Sequence, residues 1–257
     1  MRTRKGFTLI ELLVVIAIIA LLMAILMPSL QRVKKQSQAV ACQSKLHQWG
    51  LILSMYTNDN NGYFHTRPFG TQYEKMWPQF YQPYYNDPMM RCCPAAQNPN
   101  NNWGPFGTWG WKQGTQDSDW GWGGSWVPKA GFYGSYAMSR YVLNNSGPEY
   151  WRRTDVKGAE KIPIFLDCMY VAINPSETDE PPEYDGQRSN QMQFSCINRH
   201  IGCVNGLFMD LSPRKIGLKE LWKLKWHRQY DTDGPWTQAG GALPQEWPQW
   251  MRSFKDY

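Results

Sequence analysis

One carboxylate, Glu11, lies inside an otherwise uncharged apolar run that covers residues 7–27. As a helix, this run would extend about 31 Å, which is enough to cross the hydrocarbon core of a bilayer. A carboxylate in such a segment is costly, and it indicates a functional group that has a partner. Ion pairing is the chemistry that fits, because a carboxylate in a low-dielectric environment is tolerated beside an ammonium group.

Two simple interpretations of this N-terminus leave features unexplained. A secretory signal peptide needs a small-residue cleavage site after its apolar core, and residues 27–30 do not supply one. A plain single-pass anchor does not account for Glu11. A short basic stretch before the run favours a cytoplasmic N-terminus, although a second basic group follows the run closely. The two basic groups are Arg2, Arg4 and Lys5, and Arg32, Lys34 and Lys35.

The stretch at residues 5–18 resembles the class III signal of type IV pilins and type II secretion pseudopilins. The resemblance implies that a prepilin peptidase cleaves after Gly6 and that the new N-terminal residue, Phe7, is N-methylated. It also implies that Glu11 helps to recruit the subunit into a helical filament. Because methylation keeps the charge of an amine, we expect Glu11 to pair with the Phe7 amine of a neighbouring subunit. A protonated Glu11 tolerated by lipid is the alternative.

The same resemblance implies an α+β fold in which a long N-terminal helix packs on an antiparallel sheet. We expect a prepilin leader at residues 1–6, a transmembrane or filament-core helix at 7–27, its distal half at 28–60, and a globular head domain at 61–257. Pro28 is expected to kink the helix, since proline removes one helical hydrogen bond. The asparagine-rich stretch before Gly62 is expected to end it.

The distal half of the helix has an apolar stripe that includes small residues. Its members lie within one sector at 3.6 residues per turn. We therefore expect the sheet to approach the helix along this stripe. The stripe comprises Val33, Ser37, Val40, Ser44, Leu51 and Met55.

Segments further along the chain have strand, loop and helix patterns. Loose alternation at 133–143 and a β-branched apolar run at 162–173 predict strands, and 192–216 predicts the last hairpin of the sheet. Residues 63–100 predict aromatic-rich loops. The pattern at 218–230 predicts a short amphipathic C-terminal helix, and the tail at 231–257 is expected to lie over the domain.

A second resemblance involves His200 and Asp210, which are separated by nine residues. This spacing resembles the H-x9-D-G motif of large pilin-like proteins found in planctomycetes and related bacteria. Leu211 departs from the glycine of that motif, which weakens the expectation of a glycine-type turn there. We expect His200 to be a buried hydrogen-bonding residue, because no catalytic constellation accompanies it. The chain is therefore not expected to be an enzyme.

Six cysteines are candidates for disulfides if the head is exported. Sequence cannot choose among the fifteen pairings, although Cys42 with Cys92 or Cys93, and Cys196 with Cys203, are favoured; Cys168 completes the set. Zinc is the alternative use of these thiols, but the absence of a C-x2-C pair and the scattered histidines disfavour it. We therefore expect no metal and no cofactor, with calcium at the acidic loop 177–185 as an alternative.

A segment rich in tryptophan and glycine, residues 103–126, allows two interpretations. Its rings could pack over the core of the domain, or they could be exposed and bind sugars or a neighbouring subunit. We favour packing. The candidate ligand-contact residues are Trp109, Trp111, Trp120 and Trp122.

Composition and resemblance together narrow the functional classes. The mean hydropathy of −0.58 indicates a polar, soluble remainder, and the net charge of +6 would fall to +3 on loss of the three basic leader residues, which does not indicate nucleic-acid binding. The resemblance implies a structural subunit of a type IV pilus-like or type II secretion pseudopilus filament. It implies a single-pass inner-membrane precursor with a periplasmic or extracellular head. The implied partners are other pilin subunits, the prepilin peptidase and the inner-membrane assembly platform. A minor tip pilin that binds polysaccharide is the alternative.

Overall fold

The computed structural model describes residues 9–66, 76–96, 98–102, 104–111 and 132–257. Its first element is the helix α1, Leu9–Asp59, whose 51 residues extend about 76 Å. The long helix that the sequence predicts is therefore confirmed, and it continues through Pro28. A kink at that residue stays a prediction.

The helix α1 ends at the predicted asparagine-rich stretch. Asn61 (φ 55°) and Gly62 (φ 83°) adopt left-handed backbone conformations there. The Gly62 N–H donates a hydrogen bond to the Thr57 carbonyl at 2.7 Å, which satisfies one of the terminal carbonyls of the helix. The predicted helix stop is confirmed.

Short helices and eight strands follow α1 in the part of the chain that is described. The second α-helix is α2, Trp77–Phe80, and 3-10 helices include Pro88–Arg91, Ala159–Lys161 and Leu218–Lys223. The strands are β1 (Asn98–Asn102), β2 (Gly107–Trp111), β3 (Phe132–Gly134), β4 (Tyr136–Ser139), β5 (Pro163–Asp167), β6 (Ala172–Ile173), β7 (Cys203–Phe208) and β8 (Pro213–Gly217).

The strands form two sheets. The larger has the order β6-β4-β5-β7-β8, and its pairs are antiparallel except for β4 with β6, which are parallel. The smaller has the order β1-β2-β3, in which β1 and β2 are parallel. The α+β fold is confirmed, with mixed rather than purely antiparallel sheets.

The larger sheet is covered on both faces, as the alternation of side chains along β7 shows. Leu207 packs in a hydrophobic cluster with α1, which includes Trp49 and Phe165. Val204 and Phe208 belong to a second cluster, which the C-terminal part of the chain completes. The head thus has a core on each side of one sheet.

The face of α1 that packs on the sheet is not the predicted stripe. Val33, Val40, Leu51 and Met55 are 46–62% exposed. The centre of the buried face is a row spaced alternately by three and four, Ala39, Cys42, Leu46, Trp49 and Leu53, and Gly50, Ile52 and Thr57 are buried beside it. The stripe prediction was wrong. Both sets of residues satisfy helical periodicity, and only the packing of the helix against the sheet decides which set is buried.

One glycine of α1 lies where the helix approaches the turn between β7 and β8. A Cβ atom added at Gly50 would lie 3.2 Å from the Leu211 carbonyl oxygen, so a larger residue would push the turn away. Leu211 itself has φ 63°, a left-handed conformation that favours glycine. The turn therefore forms with leucine at the position where the H-x9-D-G motif has glycine.

The predicted C-terminal helix at 218–230 is wrong in type and length. The chain forms a 3-10 helix at Leu218–Lys223, and Leu224 is already extended. Within this helix Leu218 and Leu221, and likewise Lys219 and Trp222, are buried at a spacing of three, which matches the 3-10 period. The tail does lie over the domain as predicted, since Trp247 and Met251 are buried in the second cluster.

Candidate functional site

The N-terminal half of α1 exposes its apolar side chains. Every large apolar residue from position 9 to position 30 is at least 45% exposed, whereas the buried residues of α1 begin at Ala39. The helix is long and apolar enough to cross a membrane by length and composition. We call residues 9–30 the exposed segment.

Glu11 lies in the first turn of α1 and is exposed, so the carboxylate is located within the exposed segment as predicted. Gly6 and Phe7 lie outside the described residues. Cleavage between them and methylation of Phe7 therefore remain predictions.

A buried polar cluster forms where α1 meets the sheet. His200 is 5% exposed, and its Nε2 lies 3.1 Å from Asp167 Oδ2 and 3.2 Å from Cys93 Sγ. His200 is thus a buried hydrogen-bonding residue, as the sequence predicts. Asp210 is exposed in the turn after β7, where its carboxylate accepts a hydrogen bond from the Ser212 backbone N–H. The side chains of His200 and Asp210 thus have different partners.

Asp167 is the centre of this cluster. It accepts hydrogen bonds from Arg199 Nη1 at 3.0 Å and from the Asn205 backbone N–H at 2.8 Å. Burial would raise the pKa of Asp167, but the positive charges of His200 and Arg199 and these hydrogen bonds lower it instead. Burial would lower the pKa of His200, and the Asp167 carboxylate raises it. Sequence reasoning missed Asp167 as the shared partner of Arg199 and His200, because Asp167 lies more than thirty positions before them in the chain.

All six cysteines have free thiols in the structure. The pairings of Cys196 with Cys203 and of Cys42 with Cys92 or Cys93 stay predictions. Five of the six are buried: Cys42, Cys92, Cys93, Cys168 and Cys196. The thiols of Cys42 and Cys93 nevertheless lie in the same cluster. Cys42 Sγ is 3.1 Å from the Tyr136 hydroxyl and 3.7 Å from each Asp167 carboxylate oxygen.

Trp109 is a core residue rather than a ligand contact. It is 1% exposed, and its indole N–H donates a hydrogen bond to the Tyr136 carbonyl at 2.9 Å. Trp109 is therefore removed from the candidate ligand-contact set. Trp111 lies at the end of β2, and its side chain is outside the described part, as are Trp120 and Trp122.

The carboxylates of the acidic loop 177–185 bind backbone N–H groups. Asp179 accepts from Ser176 at 3.1 Å and from Met192 at 3.0 Å, and Asp185 accepts from Asn198 at 3.0 Å. These hydrogen bonds hold the loop against the domain. The two aspartates therefore stabilise the conformation of the loop.

Comparisons with known proteins point to the N-terminal segment. Residues 1–27 match the family model described as the prokaryotic N-terminal methylation motif. The chain is similar to the type IV wide pilus major component PilA4 of Thermus thermophilus, with 48% identity over 63 residues, or 24% of this chain. The aligned region spans 48% of that relative, which is about half its length. No solved structure matches the chain.

These matches and the exposed segment describe the same region of the molecule. The methylation motif at residues 1–27 overlaps the start of α1, a helix that is apolar, exposed and long enough to cross a membrane. Residues 1–27 therefore carry a prokaryotic N-terminal methylation motif, in a region that is similar to a type IV pilus component.

Proposed function

We propose that this chain is a structural subunit of a filament of the type IV pilus or type II pseudopilus kind. The observation that carries the proposal is the exposed segment, in which every large apolar side chain is at least 45% exposed. Relative to exposure to water outside the membrane, burial of each such side chain contributes about 1.5–3 kcal/mol. Side-by-side packing of these segments would bury them in a common bundle, and the similar PilA4 is itself a major pilus component.

Glu11 sets the register of that bundle. Packing would carry its carboxylate into a low-dielectric environment, where an ion pair with an ammonium group is favoured over an isolated charge. Cleavage after Gly6 creates such an ammonium group at Phe7. The Phe7 amine of one subunit pairs with Glu11 of its neighbour.

The proposed route begins with a single-pass precursor in the inner membrane, with a cytoplasmic N-terminus. A prepilin peptidase removes residues 1–6, and the assembly platform inserts the subunit into the filament. The head, residues 61–257, then lies in the periplasm or on the extracellular filament.

Mass spectrometry of protein from sheared filaments tests the processing step. We expect a chain that begins at Phe7 with a methylated amine. A native chain that retains residues 1–6 in cells with an active prepilin peptidase would overturn the proposal.

Substitution of Glu11 tests the assembly step. We expect Glu11→Ala to insert into the membrane and to be cleaved, yet to enter filaments at least about tenfold less, since tenfold corresponds to only about 1.4 kcal/mol of a lost ion pair. Lys34→Gln is the matched control, because it removes an exposed charge from the same helix outside the exposed segment and should leave incorporation unchanged.

Two outcomes of this experiment would contradict the role of Glu11. Normal incorporation of Glu11→Ala would reject any role in assembly. Normal incorporation of Glu11→Gln, which resembles a protonated glutamate, would reject the ion pair and support the protonated form.

A further inference from the structure

We propose that Cys42, Cys93, Asp167 and His200 form a structural zinc site that fastens α1 to the head. The four ligand atoms lie within 4.8 Å of one another, and all four residues are buried. They come from four separate places: the middle of α1, the loop after the 3-10 helix Pro88–Arg91, the end of β5 and the turn before β7.

The distances within the cluster suit one tetrahedral ion. Zinc binds sulfur at about 2.3 Å and nitrogen or oxygen at about 2.0–2.2 Å, so neighbouring ligand atoms in a tetrahedral site are about 3.3–3.8 Å apart. The measured separations are 3.1 Å from His200 Nε2 to Asp167 Oδ2, 3.2 Å from Cys93 Sγ to His200 Nε2, and 3.7 Å from Cys42 Sγ to Asp167. Small outward shifts would make room for the ion.

The charges around the cluster balance when zinc is present. Two thiolates and the Asp167 carboxylate carry three negative charges, while a zinc ion and the buried Arg199 guanidinium carry three positive ones. His200 then binds as a neutral imidazole through Nε2, the nitrogen that faces Cys93 and Asp167. A fully buried cluster without net charge avoids the high cost of placing an isolated charge in a low-dielectric interior.

Neighbouring groups orient three of the four ligands. The Tyr136 hydroxyl lies 3.1 Å from Cys42 Sγ, and the Ala95 backbone N–H donates to Cys93 Sγ at 3.4 Å. Arg199 and the Asn205 N–H donate hydrogen bonds to the two oxygens of the Asp167 carboxylate. Hydrogen bonds of this kind position metal ligands and support their charged forms.

A disulfide between Cys42 and Cys93 is the competing use of the same two thiols. It would account for two members of the cluster, but it would not explain why His200 Nε2 and Asp167 face those sulfurs. Zinc accounts for all four. Because four protein ligands close the coordination sphere, the site is structural and has no open position for catalysis.

Metal analysis of the full-length chain in detergent, purified under reducing conditions, is the test. We expect one zinc ion per chain, and in Cys93→Ser at least about tenfold less bound zinc. Cys92→Ser is the matched control, since it removes the adjacent buried thiol, which is not one of the four ligands, and should keep the zinc.

Cobalt substitution of the unaltered chain tests the site without a variant, so that a folding defect in Cys93→Ser cannot affect the result. We expect the absorption of tetrahedral cobalt together with a thiolate-to-cobalt charge-transfer band. Three results would overturn the proposal: a metal-free native chain that binds neither ion, zinc retained in Cys93→Ser, or a Cys42–Cys93 disulfide in protein isolated from cells.

Discussion

The two halves of α1 share one helical geometry and have opposite surroundings. From position 9 to position 30 every large apolar side chain is at least 45% exposed, whereas Cys42, Leu46, Trp49 and Leu53 are fully buried against the sheet. The buried half has its partners within the chain. The exposed segment needs partners from outside it, either lipid or other subunits. The difference separates residues that hold the head together from residues that are available for assembly.

The largest test of this contrast is at Trp49, whose ring is fully buried and whose indole N–H donates to the Met90 carbonyl at 2.7 Å. We expect Trp49→Ala to lower the free energy of unfolding by about 3–5 kcal/mol, because it leaves a cavity and an unsatisfied carbonyl. Denaturant unfolding of the detergent-solubilised chain measures this. Leu51→Ala, on the exposed face of the same turn, should change it by less than about 0.5 kcal/mol. Equal losses would break the contrast between the faces.

A second test compares a buried ion pair with an exposed one. Lys219 is fully buried, and its Nζ lies 2.6 Å from Asp256 Oδ1 in the C-terminal tail. We expect Asp256→Asn to destabilise the head by about 2 kcal/mol, because the buried ammonium group loses its charged partner. Thermal unfolding measures this. Asp233→Asn removes the more exposed partner of Lys223 and should cost less than about 1 kcal/mol. If Asp233→Asn destabilised the head more than Asp256→Asn does, burial of the ion pair would not determine its contribution to stability.

The smallest test concerns pH and a buried histidine. Burial lowers the pKa of His65 to about 3, and its Nδ1 is 2.9 Å from the Tyr81 hydroxyl. The unfolded chain therefore binds a proton below about pH 6.5 that the folded chain does not. The contribution of His65 to stability is fully present above this pH and is lost as the pH is lowered towards 3. Between pH 7 and pH 5 we expect His65 to account for about 2 kcal/mol of the loss.

Unfolding free energies at several pH values, measured for the unaltered chain and for His65→Gln, isolate this contribution. The variant should show the shallower dependence. His47→Gln alters an exposed histidine of α1 and should leave the dependence unchanged. Parallel pH profiles for the unaltered chain and His65→Gln would contradict the assignment.

The sequence predicted well where local chemistry decides the structure. The apolar run around Glu11, the asparagine-rich stop before Gly62, and the strand patterns near 162–173 and 192–216 depend on residues close together in the chain. Their periods and turn residues are sufficient, since helix and strand place side chains at fixed intervals. The methylation motif, a contiguous pattern at the N-terminus, is similarly local.

Prediction failed where contacts between distant segments of the chain determine which residues are buried and which type of helix forms. Two apolar stripes of α1 satisfy the same period, and only packing against the sheet buries Trp49 rather than Leu51. The cluster around Asp167 includes Cys42, which lies 125 positions before Asp167 in the chain, so no local spacing could indicate it. The C-terminal segment had helical amphipathicity, yet burial at a spacing of three selected a 3-10 helix instead.

The unbroken course of α1 from Leu9 to Asp59 has a mechanical consequence. In a filament of the proposed kind, tension along the filament axis would be transmitted through α1. The contacts between the head and the row of buried residues of α1, from Ala39 to Thr57, would resist it together. Such a row is loaded in shear, with many contacts sharing the force, rather than peeled apart one contact at a time. The proposed zinc site at Cys42 would bear force at the end of this row that is nearest the exposed segment.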